Sequence, residues 1–145
     1  MVATIIIAVG CAPERDEATG GLSESGTEVR DLQPGDCLAD FEEATQASGV
    51  QPAPCSEPHS DEIYAAGSID GFDEFPGSEA IEAAARRICL AEYEAFVGRS
   101  YEDSVLDISY LVPTEDSWAD DDRQVLCTIF DPLDEVTGSL RGAER

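Results

Sequence analysis

The sequence predicts a small α+β domain in which one main helix packs on a small antiparallel sheet and two disulfides join the parts. Three observations support this fold class: one long helical pattern, several short strand patterns separated by turn residues, and four cysteines in the same stretch of chain. The chain has 145 residues, of which 42% are hydrophobic, so it can build one modest core. We therefore expect one folded domain, residues 28–145, preceded by a leader and a tether.

The chain begins with an uncharged apolar run, MVATIIIAVGC, followed at once by the polar segment APERD. This run is too short to span a bilayer as a helix and is typical of a secretory signal. The residues before Cys11 resemble a bacterial lipobox, in which small residues admit a signal peptidase and the cysteine thiol accepts a diacylglyceryl group. We predict a signal peptide over residues 1–10 and lipidation of Cys11. The alternative is a buried strand with a core cysteine.

The next segment, residues 12–27, is rich in Glu, Gly, Ser and Thr and has no aromatic or β-branched cluster. Such a composition cannot offset the entropy lost on ordering the chain. Together with Cys11 it predicts a lipidated, flexible tether over residues 11–27 that spaces the domain from the membrane.

Short strands are predicted in the first half of the domain. Residues 29–32 alternate weakly, and the QPGD segment at 33–36 places proline and glycine as a turn requires. Residues 37–41 would then return as a strand, and residues 61–66 follow as the next one. Three prolines in the intervening chain predict that this part is a sheet edge or corner.

One helix is predicted from about Gly77 to Val97. Pro76 and Ser78 mark its beginning, and Gly98 stops it. Its apolar stripe should pack on the sheet. The members of the stripe, at spacings of three and four, are Ile81, Ala85, Ile88, Cys89, Glu92, Tyr93 and Phe96.

Two strands are predicted after the helix. Residues 104–112 alternate between polar and apolar side chains, and residues 125–130 form a more apolar strand. Between them, residues 113–123 are expected to form an acidic loop around the single tryptophan, Trp118. We expect the chain to fray after Val136.

Four cysteines remain when Cys11 is set aside. A leader that places the domain outside the reducing cytosol makes two disulfides the natural inference from an even number. Four cysteines allow three pairings, of which we favour Cys37 with Cys55, between neighbouring strands, and Cys89 with Cys127, between helix and sheet. The alternative is a four-cysteine zinc site, but the chain has no short-spaced cysteine pair.

Several short motifs occur in a specific order. They are Gly35-Asp36-Cys37, the PCSEPH segment at 54–59 with Glu62-Ile63 after it, Cys89 on the helix, and Trp118 followed by Asp122-Arg123-x-Val125-x-Cys127. In this order and spacing, residues 28–137 resemble the septum formation family of actinobacterial envelope proteins. The resemblance implies an extracytoplasmic domain attached to the membrane by a helix or a lipid, linked to division septa and without a known chemical activity. The family pattern often has glycine where this chain has Asp121, a residue that tolerates a positive φ less well.

Acidic residues greatly outnumber basic ones. With 32 Asp and Glu against 8 Lys and Arg, the formal net charge is −24. Such a chain repels the phosphates of nucleic acids and favours cations or basic partners. We therefore exclude nucleic-acid binding and expect a protein partner.

His59 is the only histidine, so any histidine-dependent catalysis would run through it. Beside Cys55 and Glu62 it could act in a Cys-His dyad or as a general base. An oxidised Cys55 is no nucleophile, however, and a histidine after proline more often fixes a corner by hydrogen bonding to backbone. We expect this structural role, no enzymatic activity and no cofactor.

The acidic segment at 115–122 invites comparison with a calcium loop. Counted from Asp116 against the EF-hand template, the third position is Trp118, the sixth is Asp121 where glycine is required, and the twelfth is Cys127 where a bidentate Glu belongs. We expect a solvated turn without a metal, with Trp118 packed on the helix as a core lid and Arg123 paired with a nearby Asp.

These observations together predict a non-enzymatic, lipid-anchored domain on the outer face of the cytoplasmic membrane, which binds an envelope or division protein. The residues expected on its binding surface are His59, Glu62, Trp118 and Arg123. Two alternatives are a cell-wall-modifying hydrolase or accessory enzyme that uses carboxylates, and a passive acidic surface lipoprotein.

Overall fold

The computed structural model describes residues 28–41 and 50–145. The predicted signal peptide, Cys11 and the predicted tether lie outside these residues. The described chain forms a five-stranded antiparallel sheet with one long helix on it, which confirms the predicted α+β class. The strands are β1 (Cys37–Leu38), β2 (Pro52–Ala53), β3 (Asp61–Ser68), β4 (Asp107–Leu111) and β5 (Gln124–Phe130), and the helices are α1 (Ser78–Val97) and α2 (Glu115–Ala119).

The sheet is built around the pairing of β3 with β5, and the strand order is β2-β1-β3-β5-β4. The long ladder of β3 and β5 runs from the Asp61 and Phe130 pair to the Ser68 and Gln124 pair. β2, which contains Pro52, lies at one edge, as the prolines predict. Because β3 and β5 are antiparallel, their two ends form two opposite ends of the domain.

Helix α1 has the predicted bounds. It ends where Gly98 adopts the left-handed conformation, with φ at 82°, and donates its N–H to the Glu94 carbonyl at 2.9 Å. The predicted stripe is correct except at Glu92, which faces solvent, while Ala84 and Val97 join the buried side. A carboxylate is costly to bury without a partner, so small and apolar residues fill the interface instead.

The core has two parts, one on each face of the sheet. The helix-side part includes Tyr64, Tyr93, Phe96 and Trp118, and its aromatic rings contact one another edge-on or tilted. The part on the opposite face consists of Leu32, Leu38, Val50, Ile63, Leu111 and Leu126. Both predicted disulfide pairings are confirmed, since Cys37 bonds Cys55, and Cys89 on α1 bonds Cys127 on β5.

Three local expectations were wrong. Residues 29–32 do not form a strand: Val29–Asp31 is a short 3-10 helix that places Leu32 in the core. The predicted acidic loop contains α2, which begins with a capping box between Thr114 and Ser117. The chain does not fray after Val136, because residues beyond it bond to β3 and to α1. Among the described helices, none is long and apolar enough to cross a bilayer.

Candidate functional site

The PCSEPH segment forms the corner between β2 and β3. Cys55 in this segment is bonded to Cys37 of β1, and the Cys55 carbonyl accepts a hydrogen bond from the Gly138 N–H at 2.6 Å. Cys37 is fully buried, whereas Cys55 is partly exposed. The corner is therefore attached on one side to the sheet and on the other to the end of the chain.

His59 lies at the end of this corner with its ring fully buried. Its Nδ1 is 2.8 Å from the Glu57 carbonyl, a contact that assigns the ring proton to Nδ1. Its backbone exchanges two hydrogen bonds with Val136, at 2.9 and 3.0 Å. No hydrogen-bond partner for Nε2 occurs among the described residues. This placement agrees with a histidine that fixes a corner.

Glu62 is a buried carboxylate, with 2% of its surface exposed. One carboxylate oxygen accepts the Ser139 hydroxyl and the other accepts the Leu140 N–H, both at 2.7 Å. A buried charge is tolerated when charge-assisted hydrogen bonds replace its water. Glu62 therefore holds the end of the chain on β3.

Residues 136–144, which we call the C-terminal strap, run from the PCSEPH corner to the end of α1. The side chains of Val136 and Leu140 are buried in the helix-side core. The strap also donates N–H groups to the carbonyls of Phe96 and Val97, at 2.8 and 3.0 Å. These carbonyls belong to the last turn of α1, where carbonyl groups have no hydrogen-bond partner within the helix. The strap thus closes the open end of the helix.

Trp118 and Arg123 lie at the opposite end of the sheet. The Arg123 guanidinium carbon is 3.7 Å from the centroid of the indole, and its Nη1 donates to the carbonyls of Trp118 and Asp122 at 2.8 and 2.9 Å. The Phe75 ring contacts the indole edge-on, with 5.9 Å between centroids. Trp118 is therefore buried between Arg123 and the core, as the predicted lid. Arg123 also forms an ion pair with Asp121, with 3.8 Å between Nη2 and Oδ1.

Two acidic segments meet beside this pair, because the Ile69 N–H donates to the Arg123 carbonyl at 2.9 Å. We call residues 69–77 together with residues 113–123 the acidic end. Arg123 is its one basic residue in the sequence. Phe72 is 45% exposed among the carboxylates. The acidic side chains of this end, all exposed except the half-buried Asp122, are Asp70, Asp73, Glu74, Glu115, Asp116, Asp120, Asp121 and Asp122.

The four residues expected on a binding surface thus fall into two separate groups. His59 and Glu62 lie together beneath the strap, and Trp118 and Arg123 lie together at the acidic end. The first three side chains are buried and Arg123 is partly exposed, so none of the three buried ones is presented to a partner in this structure. Phe72 is exposed at the acidic end, and sequence reasoning missed it because a single phenylalanine in a loop has no periodicity to interpret.

Residues 28–41 and 50–145 contain no preformed metal site. No group of three or more His, Cys, Asp or Glu side chains in these ranges is placed to hold an ion. The carboxylates of the acidic end spread over the surface of two segments, whereas a calcium site needs six to eight oxygens converging on one point.

Comparisons with curated proteins and with solved structures found no match. The septum formation family, by contrast, matches residues 21–143, a range that contains both disulfides, the PCSEPH corner and the pair of Trp118 and Arg123. The disulfides and this match are consistent with an extracytoplasmic location. The chain belongs to the septum formation family.

Proposed function

We propose that this protein is a lipid-anchored, non-enzymatic binding domain that acts in septum formation outside the cytoplasmic membrane. The proposal rests on one observation: the Cys, His and Glu side chains of the PCSEPH corner and of β3 serve to hold the fold together. Cys55 is oxidised, while His59 and Glu62 are covered by the strap and bonded to it. Residues in such roles build a scaffold, and a scaffold acts through the surface that it presents.

The surface best suited to a partner is the acidic end. It presents exposed carboxylates and the exposed ring of Phe72, and its one arginine is held against Trp118 by stacking and two hydrogen bonds. Clustered negative charge speeds the encounter with a basic surface and rejects acidic ones, while an exposed aromatic ring supplies apolar contact area. We therefore propose a basic envelope or division protein as the partner.

The anchor is the diacylglyceryl group proposed on Cys11. Residues 12–27 separate this anchor from the domain along the chain. Two acyl chains hold a protein on a bilayer stably, whereas one chain binds marginally. The domain would thus search a thin layer next to the membrane for its partner.

The anchor and the septal role are tested together by imaging. A tagged full-length chain and its Cys11→Ala variant are followed in dividing cells. We expect enrichment at septa that disappears in Cys11→Ala. Uniform envelope labelling that still depends on Cys11 would reject the septal role, and cytoplasmic labelling of both proteins would reject export altogether.

The binding surface is tested with two variants that each remove four charges. One neutralises exposed residues of the acidic end: Asp73→Asn, Glu74→Gln, Asp116→Asn and Asp120→Asn. The matched control neutralises exposed residues elsewhere: Glu79→Gln, Glu82→Gln, Glu94→Gln and Glu102→Gln. We expect the first variant to keep membrane attachment and lose septal enrichment, and the control to keep both.

Equal behaviour of the two variants would reject the acidic end as the binding surface. The alternative of a carboxylate-dependent hydrolase makes a different prediction, because an enzyme depends on individual reacting groups. A single Asp or Glu variant that abolishes function with an unchanged fold would favour the hydrolase over the binding domain.

A further inference from the structure

The two disulfides differ in their access to solvent. Cys89 and Cys127 are both completely buried between α1 and β5. In the other bridge Cys37 is buried but Cys55 is partly exposed, in a corner whose neighbouring residues Pro54 and Ser56 are exposed. Thiol-disulfide exchange requires a thiolate to reach a sulfur atom, so access decides which bridge reacts. A reductant meets Cys55 first.

Cys55 is also the attachment point of the strap. Its carbonyl accepts the Gly138 N–H, and the same corner ends at His59, whose backbone pairs with Val136. The corner itself has no helix or strand apart from that one pair, and β1, to which the bridge ties it, is two residues long. The disulfide is therefore a covalent cross-link between this corner and β1, in addition to the hydrogen bond that the Ser60 N–H donates to the Leu38 carbonyl at 2.9 Å.

We propose that the Cys37–Cys55 disulfide is a redox-sensitive attachment of the C-terminal strap, opened by a dithiol outside the cytoplasmic membrane. One thiolate of the dithiol bonds to the Cys55 sulfur; the Cys37–Cys55 bond breaks, and Cys37 leaves as a thiolate that takes a proton. The second thiol of the reductant then displaces Cys55. The protein gains two thiols, and the dithiol becomes a disulfide.

Opening the bridge has a local consequence. The corner regains the conformational freedom that the bridge removed, and the hydrogen bonds from the corner to Gly138 and Val136 weaken with it. The strap then loosens where Gly138 and Val136 bond to the corner, and solvent reaches the ring of His59, while the carboxylate of Glu62 still accepts hydrogen bonds from Ser139 and Leu140. The buried Cys89–Cys127 bridge still ties α1 to β5, so the central sheet and helix stay folded.

The test titrates the full-length oxidised protein with dithiothreitol. Samples are alkylated with iodoacetamide and digested, and each cysteine is scored by mass spectrometry. Amide hydrogen exchange is measured on peptides from the strap and from β5 at the same reductant concentrations. We expect Cys37 and Cys55 to be alkylated at a dithiothreitol concentration at least about tenfold below that for Cys89 and Cys127. Strap amides should lose protection at that lower concentration while β5 amides keep theirs.

Two results would overturn the proposal. In one, both bridges are reduced together as β5 loses protection. In the other, strap amides stay protected after complete reduction of Cys37–Cys55. The double variant Cys37→Ser with Cys55→Ser gives a second measurement, in which an unprotected strap beside a protected β5 without reductant supports the proposal. A protected strap in that variant contradicts the proposal. If the variant does not fold, the titration of the wild-type protein is the deciding measurement.

Discussion

Gly67 of β3 lies directly beneath Ile88 of α1. A Cβ atom built on Gly67 would lie 2.5 Å from the Cγ2 atom of Ile88, closer than such atoms approach in proteins. The main helix can therefore rest at this distance from the sheet because position 67 has no side chain. This contact limits how closely α1 approaches β3, one residue from the Cys89–Cys127 bridge.

Replacing Gly67 by alanine should consequently destabilise the fold. We expect Gly67→Ala to lower the free energy of unfolding by about 1–3 kcal/mol, the usual cost of overpacking, as measured by urea denaturation. The control is the same change in an Ile88→Ala background, where the offending methyl group is absent. An equal cost in both backgrounds would show that the contact with Ile88 is not the cause.

Asp121 adopts a positive φ of 63°, a left-handed conformation that glycine adopts without steric cost. The turn is therefore kept in this chain at the cost of backbone strain. We expect Asp121→Gly to stabilise the protein by about 0.5–1 kcal/mol in thermal unfolding, despite the loss of an exposed ion pair with Arg123 that contributes little. Asp120→Gly is the control. Its φ is −94°, so that change should not stabilise.

Glu62 holds the strap through two hydrogen bonds to its carboxylate. We expect Glu62→Ala to cost about 2–3 kcal/mol of unfolding free energy and to remove exchange protection from the Leu140 amide. Glu57→Ala, an exposed carboxylate in the adjacent corner, should change stability by less than about 0.5 kcal/mol. Protection at Leu140 that survives Glu62→Ala would contradict the assigned role.

Arg123 covers the face of Trp118 and bonds to two carbonyls with one nitrogen. A lysine has neither the planar group nor its fixed fork of donors. We expect Arg123→Lys to cost about 1–2 kcal/mol and to shift the fluorescence of the single tryptophan to longer wavelength as water reaches the indole. Arg30→Lys, at an exposed site, is the control. Unchanged emission in Arg123→Lys would refute the lid.

Tyr64 should make the stability of the fold fall at alkaline pH. Burial, followed by the charges of Tyr93 and Glu92, raises the pKa of Tyr64 well above its usual value, and its hydroxyl donates to the Cys89 carbonyl at 2.6 Å. The unfolded chain releases this proton near pH 10 and the folded chain does not, so stability should fall as the pH rises above about 10. Urea denaturation should show a shallower fall in Tyr64→Phe. The same slope in both proteins would exclude Tyr64 as the cause.

Sequence reasoning succeeded where the signal is local or covalent. The end of α1 at Gly98 follows from one residue type. The sequence left three disulfide pairings open, and the structure has the pairing that was favoured because it joins neighbouring predicted elements. The structural role of His59 also follows from its position after proline. Each of these inferences needs a few neighbouring residues and one physical rule.

It failed where distant residues decide the outcome. Glu62 and Leu140 are 78 positions apart, so nothing near either residue announces their bond, and the strap reads as a fraying end. Helix α2 was missed for another reason: the third helical position of its capping box is Ser117, where the common pattern has Glu or Gln. Glu62 is covered by the strap, and Trp118 is covered by Arg123. Neither covering group belongs to a periodic hydrophobic pattern that the sequence could reveal.

The first two cysteines of the domain, Cys37 and Cys55, form one disulfide, and the last two, Cys89 and Cys127, form the other. A chain that crosses a membrane N-terminus first releases its thiols in that order. When Cys55 emerges, Cys37 is the one other free thiol of the domain, and when Cys127 emerges, Cys89 is. The proposed lipidation of Cys11 would keep its sulfur from forming a wrong disulfide. Of the three pairings, this one therefore needs no rearrangement of bonds in a chain that is oxidised in sequence order.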